Sequence, residues 1–309
     1  MGRTIVDDIV WWIPIKKIRD KARTKLYSKF FPDNNNITYE QLKRVTPQDF
    51  LYLVEINLAE HCNLHCFSCN HFSQLAKERY VSIESFENDI KRLYEITNGR
   101  IYQLMLLGGE PLLNKNINEY IKIIRKYFSN NAISIYTNGI MLLKKDEEFW
   151  NVCKENKIQI IVTVYDINID IDAIEKKAKE YNIIFVTSEN KSFNEKVSWK
   201  FVLDLNKSQD AFYSFINCFH ANHCIHLKDG KLYTCPIIPN IEHFNKYFNK
   251  NLEVTELDYI DIYKAKDYNE ILQFLAKPVP FCRYCDVKKW KVVGNWRRSN
   301  RDISEYIDE

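Results

Sequence analysis

Residues 51–69 read LYLVEINLAEHCNLHCFSC, an apolar, β-branched run over Tyr52–Leu58 followed by Cys62, Cys66 and Cys69 in the spacing C-x3-C-x2-C. Such a run has the length and composition of a strand. A second, Ile101–Leu107, leads into Gly108-Gly109-Glu110-Pro111, and a third, Ile133–Tyr136, into Thr137-Asn138-Gly139. Others follow at Ile158–Val164, Ile183–Val186 and Trp199–Leu203. Helical patterns lie between them. Ile83, Phe86, Ile90 and Leu93 recur at helical spacing behind a candidate N-cap, Ser82, and Ile117–Tyr127, Glu147–Glu155 and Ile174–Tyr181 continue the alternation. Six strands alternating with helices predict an α/β fold with a parallel sheet and right-handed crossovers, either an open doubly wound sheet or part of a barrel. Both arrangements place ligands at the C-terminal ends of the strands, so the cysteine triplet, GGEP and TNG are expected at one end of the sheet.

The 309 residues are 46% hydrophobic, 14% aromatic and 28% charged, enough apolar matter for a sizeable core. Lys+Arg at 44 against Asp+Glu at 41 leaves a net charge of only +3, which disfavours a nucleic-acid partner held by net charge. No apolar run approaches the roughly 20 residues of a membrane span, and no secretory pattern is present, so the expected location is cytoplasmic. Nine cysteines in such a chain point to metal or thiol chemistry rather than disulfides. Of these, Cys153 in FWNVCKEN reads as a small core residue. Glycine is scarce, 7 where ordinary usage would give about 22, and Gly108, Gly109, Gly139 and Gly230 all fall in motifs. There the backbone must turn tightly or approach a ligand.

Three regions are expected: an N-terminal extension over residues 1–47, the strand–helix alternation over 48–207, and a smaller cysteine-rich domain over 208–309 with helical patches near Asp210–Asn217 and Tyr268–Ala276. Residues 9–31 combine Trp11, Trp12, Ile15 and Ile18 with Lys16, Lys17, Arg19 and Lys21, predicting a helix begun or broken near Pro14. Its apolar and basic sides fit either packing on the protein or peripheral contact with an anionic inner-membrane surface.

Three thiolates this close can bind a zinc ion, with His61, His65 or His71 as fourth ligand, or an iron–sulfur cluster. A cubane has four irons, so three cysteines leave one iron open to a small molecule. With GGEP after the next strand, the chain resembles the radical S-adenosylmethionine (SAM) superfamily over about Tyr52–Leu203. The resemblance implies a partial (β/α)6 barrel, a [4Fe-4S] cluster on Cys62, Cys66 and Cys69, and SAM chelating the fourth iron. It further implies reductive cleavage of SAM to a 5′-deoxyadenosyl radical that abstracts hydrogen from the substrate, with an electron donor such as flavodoxin or ferredoxin. On the same resemblance Gly108 and Gly109 bring backbone groups close, Glu110 accepts a hydrogen bond from the SAM ammonium, and Pro111 stiffens the turn. Asn138 and Thr137 reach the ribose or the carboxylate, and Thr163 is a further candidate. One departure is Ser68, which stands where many members carry an aromatic residue over the adenine; Phe67 or Phe72 would substitute. His61, His65 and His71 read as supporting rather than catalytic.

Cys218-x5-Cys224-x10-Cys235, then Cys282-x2-Cys285, read alone as a zinc ribbon. Beside the first motif, and with DGKLYTCP at Asp229–Pro236, they resemble the SPASM/twitch accessory region. Since no cysteine follows Cys285, the shorter twitch form with one auxiliary [4Fe-4S] cluster is expected. Cys235, Cys282 and Cys285 are chosen as ligands, with Cys218 preferred to Cys224 as the fourth; the thiol left over would suit hydrogen-atom donation in an epimerase. The relatives so resembled act on sugars and cyclitols or on peptides. The segment before Tyr52 is too short for a winged-helix peptide-recognition domain, and WWIPIKKIRDK and NWRRSNRDISEYID are similar to radical SAM proteins of surface-polysaccharide synthesis. The expectation is therefore a radical SAM oxidoreductase or epimerase of a sugar-linked or other small substrate. A peptide-maturing enzyme of the RiPP or sulfatase type and a zinc-binding interaction protein stand as alternatives.

Overall fold

A computed structural model describes residues 18, 19, 21, 22, 38–188 and 197–308. The expected basic helix over 9–31 lies outside these, apart from Ile18, Arg19, Lys21 and Ala22, which are helical. No described helix is long and apolar enough to cross a membrane.

Strands β1 (Leu51–Ala59), β2 (Ile101–Gly108), β3 (Ala132–Thr137), β4 (Ile158–Val162) and β5 (Phe185–Thr187) lie side by side in chain order and run parallel. A doubly wound sheet reverses strand order at a switch point, and a barrel does not. The unbroken order therefore selects the barrel type of winding, and the sheet stays open. Crossovers are made by the helix α2 (Ile83–Thr97), following the short N-terminal α1 (Tyr39–Arg44), then α3 (Ile117–Tyr127), α4 (Glu147–Glu155) and α5 (Ile171–Glu180). Ser82, Asp146 and Asp170 cap α2, α4 and α5 by accepting a hydrogen bond from a first-turn N–H.

Successive strand residues face opposite sides. Val54, Ile56, Leu58, Leu104, Leu106, Ile133 and Ile135 form one core with Phe86, Ile90, Tyr120 and Ile124 of the helices. The other face presents Glu55, Met105, Leu107 and Tyr136 to a cavity. One face covered by helices and the other turned inward is the layout of a barrel wall.

The free edge of β1 is taken by β7 (Ile225–Lys228), parallel to it, and then by β8 (Lys231–Tyr233) and β9 (Ile260–Asp261), both antiparallel. Asp229 and Gly230, at φ 49° and 69°, make the two-residue turn between β7 and β8 that right-handed strand twist favours. Lys228 fastens this edge. Its Nζ donates to Glu60 Oε2 at 2.9 Å, Pro239 O at 3.0 Å and Glu242 Oε1 at 3.2 Å, while His243 Nε2 lies 2.8 Å from the same Glu60 oxygen. Burial alone would raise the Glu60 carboxyl, but His243 and Lys228 outweigh it and bring it down to about 2.

The expected sixth parallel strand is placed differently. Val197–Lys200 form β6, which pairs antiparallel with β10 (Lys291–Asn295) in a separate two-stranded sheet, and Leu203 bridges to Cys285. A partner some 90 residues away decides the pairing, and a local apolar run cannot reveal that. Among the C-terminal helices, α6 (Ala211–Asn217) and α8 (Tyr268–Leu275) fall where expected, whereas α7 (Ile237–Phe248) was not anticipated. Pro236 and Pro239 mask it in the sequence, yet both sit at its start, where a missing N–H costs nothing.

Candidate active site

Beyond β1 the chain turns through Glu60–Cys69, and the end of β2 presses against it. A Cβ at Gly108 would stand 2.2 Å from Ala59 O, and one at Gly109 would stand 2.1 Å from His61 O. Gly109 N donates to Ala59 O at 2.8 Å and Glu110 N to His61 O at 3.1 Å. The paired glycines thus let one strand end meet the next. From the other side the C-terminal segment grips the same loop. Phe67 N donates to Arg297 O at 3.0 Å, Ser299 N to His65 O at 2.8 Å, Ser68 N to Glu305 Oε2 at 3.3 Å and Tyr306 OH to Cys69 O at 3.0 Å.

Cys62, Cys66 and Cys69 line a cavity of about 490 Å³ together with Gly108, Gly109, Thr137, Asn138 and Thr163 from the strand ends. Glu110 and Pro111 are buried and do not line it. The Glu110 carboxylate instead accepts from Thr137 Oγ1 at 2.7 Å, Asn138 N at 2.9 Å and Leu112 N at 3.0 Å, tying the second strand end to the third. Asn138 Nδ2 donates to Asn63 Oδ1 at 2.8 Å and lies 3.8 Å from Cys62 Sγ. Ser68 is buried, its Oγ accepting from Phe201 N at 3.1 Å. Of its two possible substitutes, Phe67 lines the cavity under the Arg297 guanidinium, 4.2 Å from its centroid, whereas Phe72 packs into a core with Phe244 and Tyr306. Burial pushes the Cys62 thiol up to about 12 and raises Cys69 as well. Such thiols stay neutral unless a cation compensates the thiolate, the chemistry of a metal or cluster site.

The second cysteine group converges from three elements. Cys218 ends α6, Cys235 precedes α7, where the Ile237 and Ile238 N–H groups reach it, and Cys282 and Cys285 share a turn at Pro280–Tyr284. Cys285 is within electrostatic reach of Cys282, Cys235 and Cys218, and Cys282 of Cys235 and Cys218. Cys224 is within electrostatic reach of Cys218 and Cys235 too, but it also lies beside Glu55 and lines the main cavity. Burial raises all five thiols, Cys235 to about 12. Cys153 sits in the helix–sheet core.

The rest of the cavity wall was not singled out in the sequence. It includes Glu55, Tyr136, Tyr165, Trp199, Phe201, Phe219, His220 and Trp296; His71, which the sequence offers as a zinc ligand or a supporting residue, stands beside them. Glu55 had a visible signal, being the one charged residue in the run Tyr52–Leu58. Trp199, Phe201, Phe219 and Trp296 had none, because they come from β6, the turns around α6 and the C-terminal segment, which only the fold brings to the cavity.

With this geometry in place, residues 56–204, just under half of the chain, match the Radical SAM superfamily. Similar proteins include the probable GTP 3′,8-cyclase of Pyrococcus abyssi, 32% identical over 124 residues that make up 40% of this chain and 36% of that one. The GTP 3′,8-cyclase of Campylobacter jejuni is 26% identical over 242 residues, 70% of each chain. The chain spans about a third of the length of the archaeal cyclases it matches. Among solved structures, BtrN in complex with AdoMet and 2-DOIA aligns at 15% identity and TM-score 0.47, over 77% of this chain and 94% of that one. Native anSMEcpe with bound AdoMet and Cp18Cys peptide aligns at 23% identity and TM-score 0.35, over 44% of this chain and 42% of that one.

Proposed function

We propose that the chain is a radical SAM oxidoreductase or epimerase of a sugar-containing or other small substrate. The observation that carries this reading is one cavity bounded on one side by the three-cysteine loop and on the other by a carboxylate, imidazoles and aromatic rings. Its volume of about 490 Å³ is that of a small-molecule site. Trp199, Phe201, Phe219 and Trp296 offer flat faces to the C–H side of a sugar ring or to a base, and Glu55, His71 and His220 offer hydrogen bonds to hydroxyls.

Three thiols on one loop lining the same cavity, with Cys62 and Cys69 raised by burial, fit a [4Fe-4S] cluster with one iron left for SAM. When bound, these cofactors supply a 5′-deoxyadenosyl radical that removes hydrogen from the substrate. Cys62, Cys66 and Cys69 would hold the cluster. Gly108, Gly109, Thr137, Asn138 and Thr163 would present backbone and polar groups to SAM, Phe67 would cover its adenine, and Glu110 with Pro111 would hold the strand ends in place behind it. Residues 208–309 would form a twitch-like module over the barrel of 48–207, with Cys218, Cys235, Cys282 and Cys285 binding one auxiliary [4Fe-4S] cluster as electron acceptor. Cys224 would remain free beside Glu55, where a hydrogen-atom donor for epimerisation is needed. Exposed Arg297, Arg298 and Arg301 beside the cluster loop suit an acidic donor such as flavodoxin or ferredoxin.

The test is anaerobic 5′-deoxyadenosine formation from SAM with candidate substrates: nucleotide- or lipid-linked sugars, short peptides, and GTP, which the similar cyclases are named for. A linked sugar should stimulate turnover, and deuterium on its ring should appear in the product. Stimulation by a peptide alone would favour the peptide-maturing alternative, and by GTP alone would replace the substrate class. Zinc in place of iron after anaerobic purification would favour the interaction protein.

A further inference from the structure

β1 and β7 run parallel with Glu55 directly beside His226, so both side chains leave the same face of the sheet. His71, two residues past the last cysteine of the first triplet, arrives at the same place with its ring edge-on to His226 at 5.4 Å. One ligand atom from each of Glu55, His71 and His226 lies within 4.8 Å of the other two. Glu55 Oε2 and His226 Nδ1 are 3.4 Å apart. That is long for a hydrogen bond, but it is the edge of a ligand tetrahedron around an ion with bonds of roughly 2.1 Å. His226 is fully buried with its Nδ1 turned to Glu55, and His71 Nδ1 finds no hydrogen-bond partner among the described residues. A buried imidazole nitrogen without a partner is costly, and a ligand removes that cost. No lysine or arginine among the described residues forms an ion pair with Glu55, although the group is buried.

We propose that Glu55, His71 and His226 bind one divalent transition-metal ion of the zinc or iron(II) type beside the cavity, through a ligand set distinct from the cluster-binding cysteines. Two imidazoles and a carboxylate suit such ions, and a three-residue set leaves a coordination position open. Binding of the ion does not depend on the radical reading. Its use does: the open position would orient a hydroxyl or carbonyl oxygen of the substrate in the cavity that Glu55 and His71 line.

The experiment uses full-length protein with both cysteine groups loaded with iron and sulfide, so that the thiols are occupied, dialysed anaerobically against Zn²⁺ alone. Metal analysis should find about one zinc per chain. Glu55→Gln and His226→Gln should each weaken binding at least tenfold with iron content unchanged, and Zn²⁺ should raise the thermal midpoint of the wild type but not of the variants. Absence of bound zinc, wild-type affinity in both variants, or loss of zinc only together with iron would overturn the site. A protein that binds zinc but makes no 5′-deoxyadenosine would sink the proposed function and leave this site standing.

Discussion

At Gly109 a methyl group would meet the His61 carbonyl at 2.1 Å, and both partners are backbone. Overpacking of this kind costs about 1–3 kcal/mol, so Gly109→Ala should lower the urea midpoint and release iron from the first site; an unchanged midpoint would show that the strand ends can part. At the second group the contrast lies between two thiols. Cys218→Ala should drop iron from about eight to about four per chain, whereas Cys224→Ala should leave about eight, because Cys224 keeps company with Glu55 rather than with the CxxC pair. Equal losses would reverse the assignment. The motif residues were legible in the sequence because each stands next to a strand end. The behaviour of Glu110 was not, since three donors that it collects arrive from two turns separated in sequence.

Strands β1 to β4 and helices α2 to α4 follow from local pattern alone: alternation on the strands, helical spacing and capping residues on the helices. β6 was misread because its partner, β10, is distant in sequence, and α7 was missed because its prolines, harmless in a first turn, look like breakers. The C-terminal segment carries an element-scale prediction. Buried Glu305 accepts from Ser68 N at 3.3 Å, Ser299 Oγ at 2.7 Å and Asn300 N at 2.6 Å, joining the segment to the cluster loop. Glu305→Ala should therefore speed hydrogen exchange over residues 64–72 while leaving α2 and α3 protected. Uniform protection would show that the loop stands without its strap.

Across the molecule, the eight-stranded sheet joins residues before and after 207, and the buried Lys228–Glu60–His243 group is its rivet. The folded-state carboxyl of Glu60 lies at about 2, below its ordinary 4.5. A depressed carboxyl contributes stability that is present above its unfolded value and lost as pH falls towards its folded one. Between pH 5 and pH 2 the wild type should lose more stability than Glu60→Gln, by an amount on the order of 2–3 kcal/mol; parallel chemical-denaturation profiles would remove Glu60 from the account. Lys228→Met, which strands Glu60 with half its partners, should destabilise by about 3 kcal/mol.

The most direct measurement incubates iron–sulfur-loaded wild type and Cys66→Ala anaerobically with SAM and a strong reductant and quantifies 5′-deoxyadenosine. Wild type should form it and Cys66→Ala should form none, although the variant keeps its auxiliary iron. Product at the wild-type rate from Cys66→Ala, or none from the loaded wild type, would contradict the assignment of the three-cysteine loop.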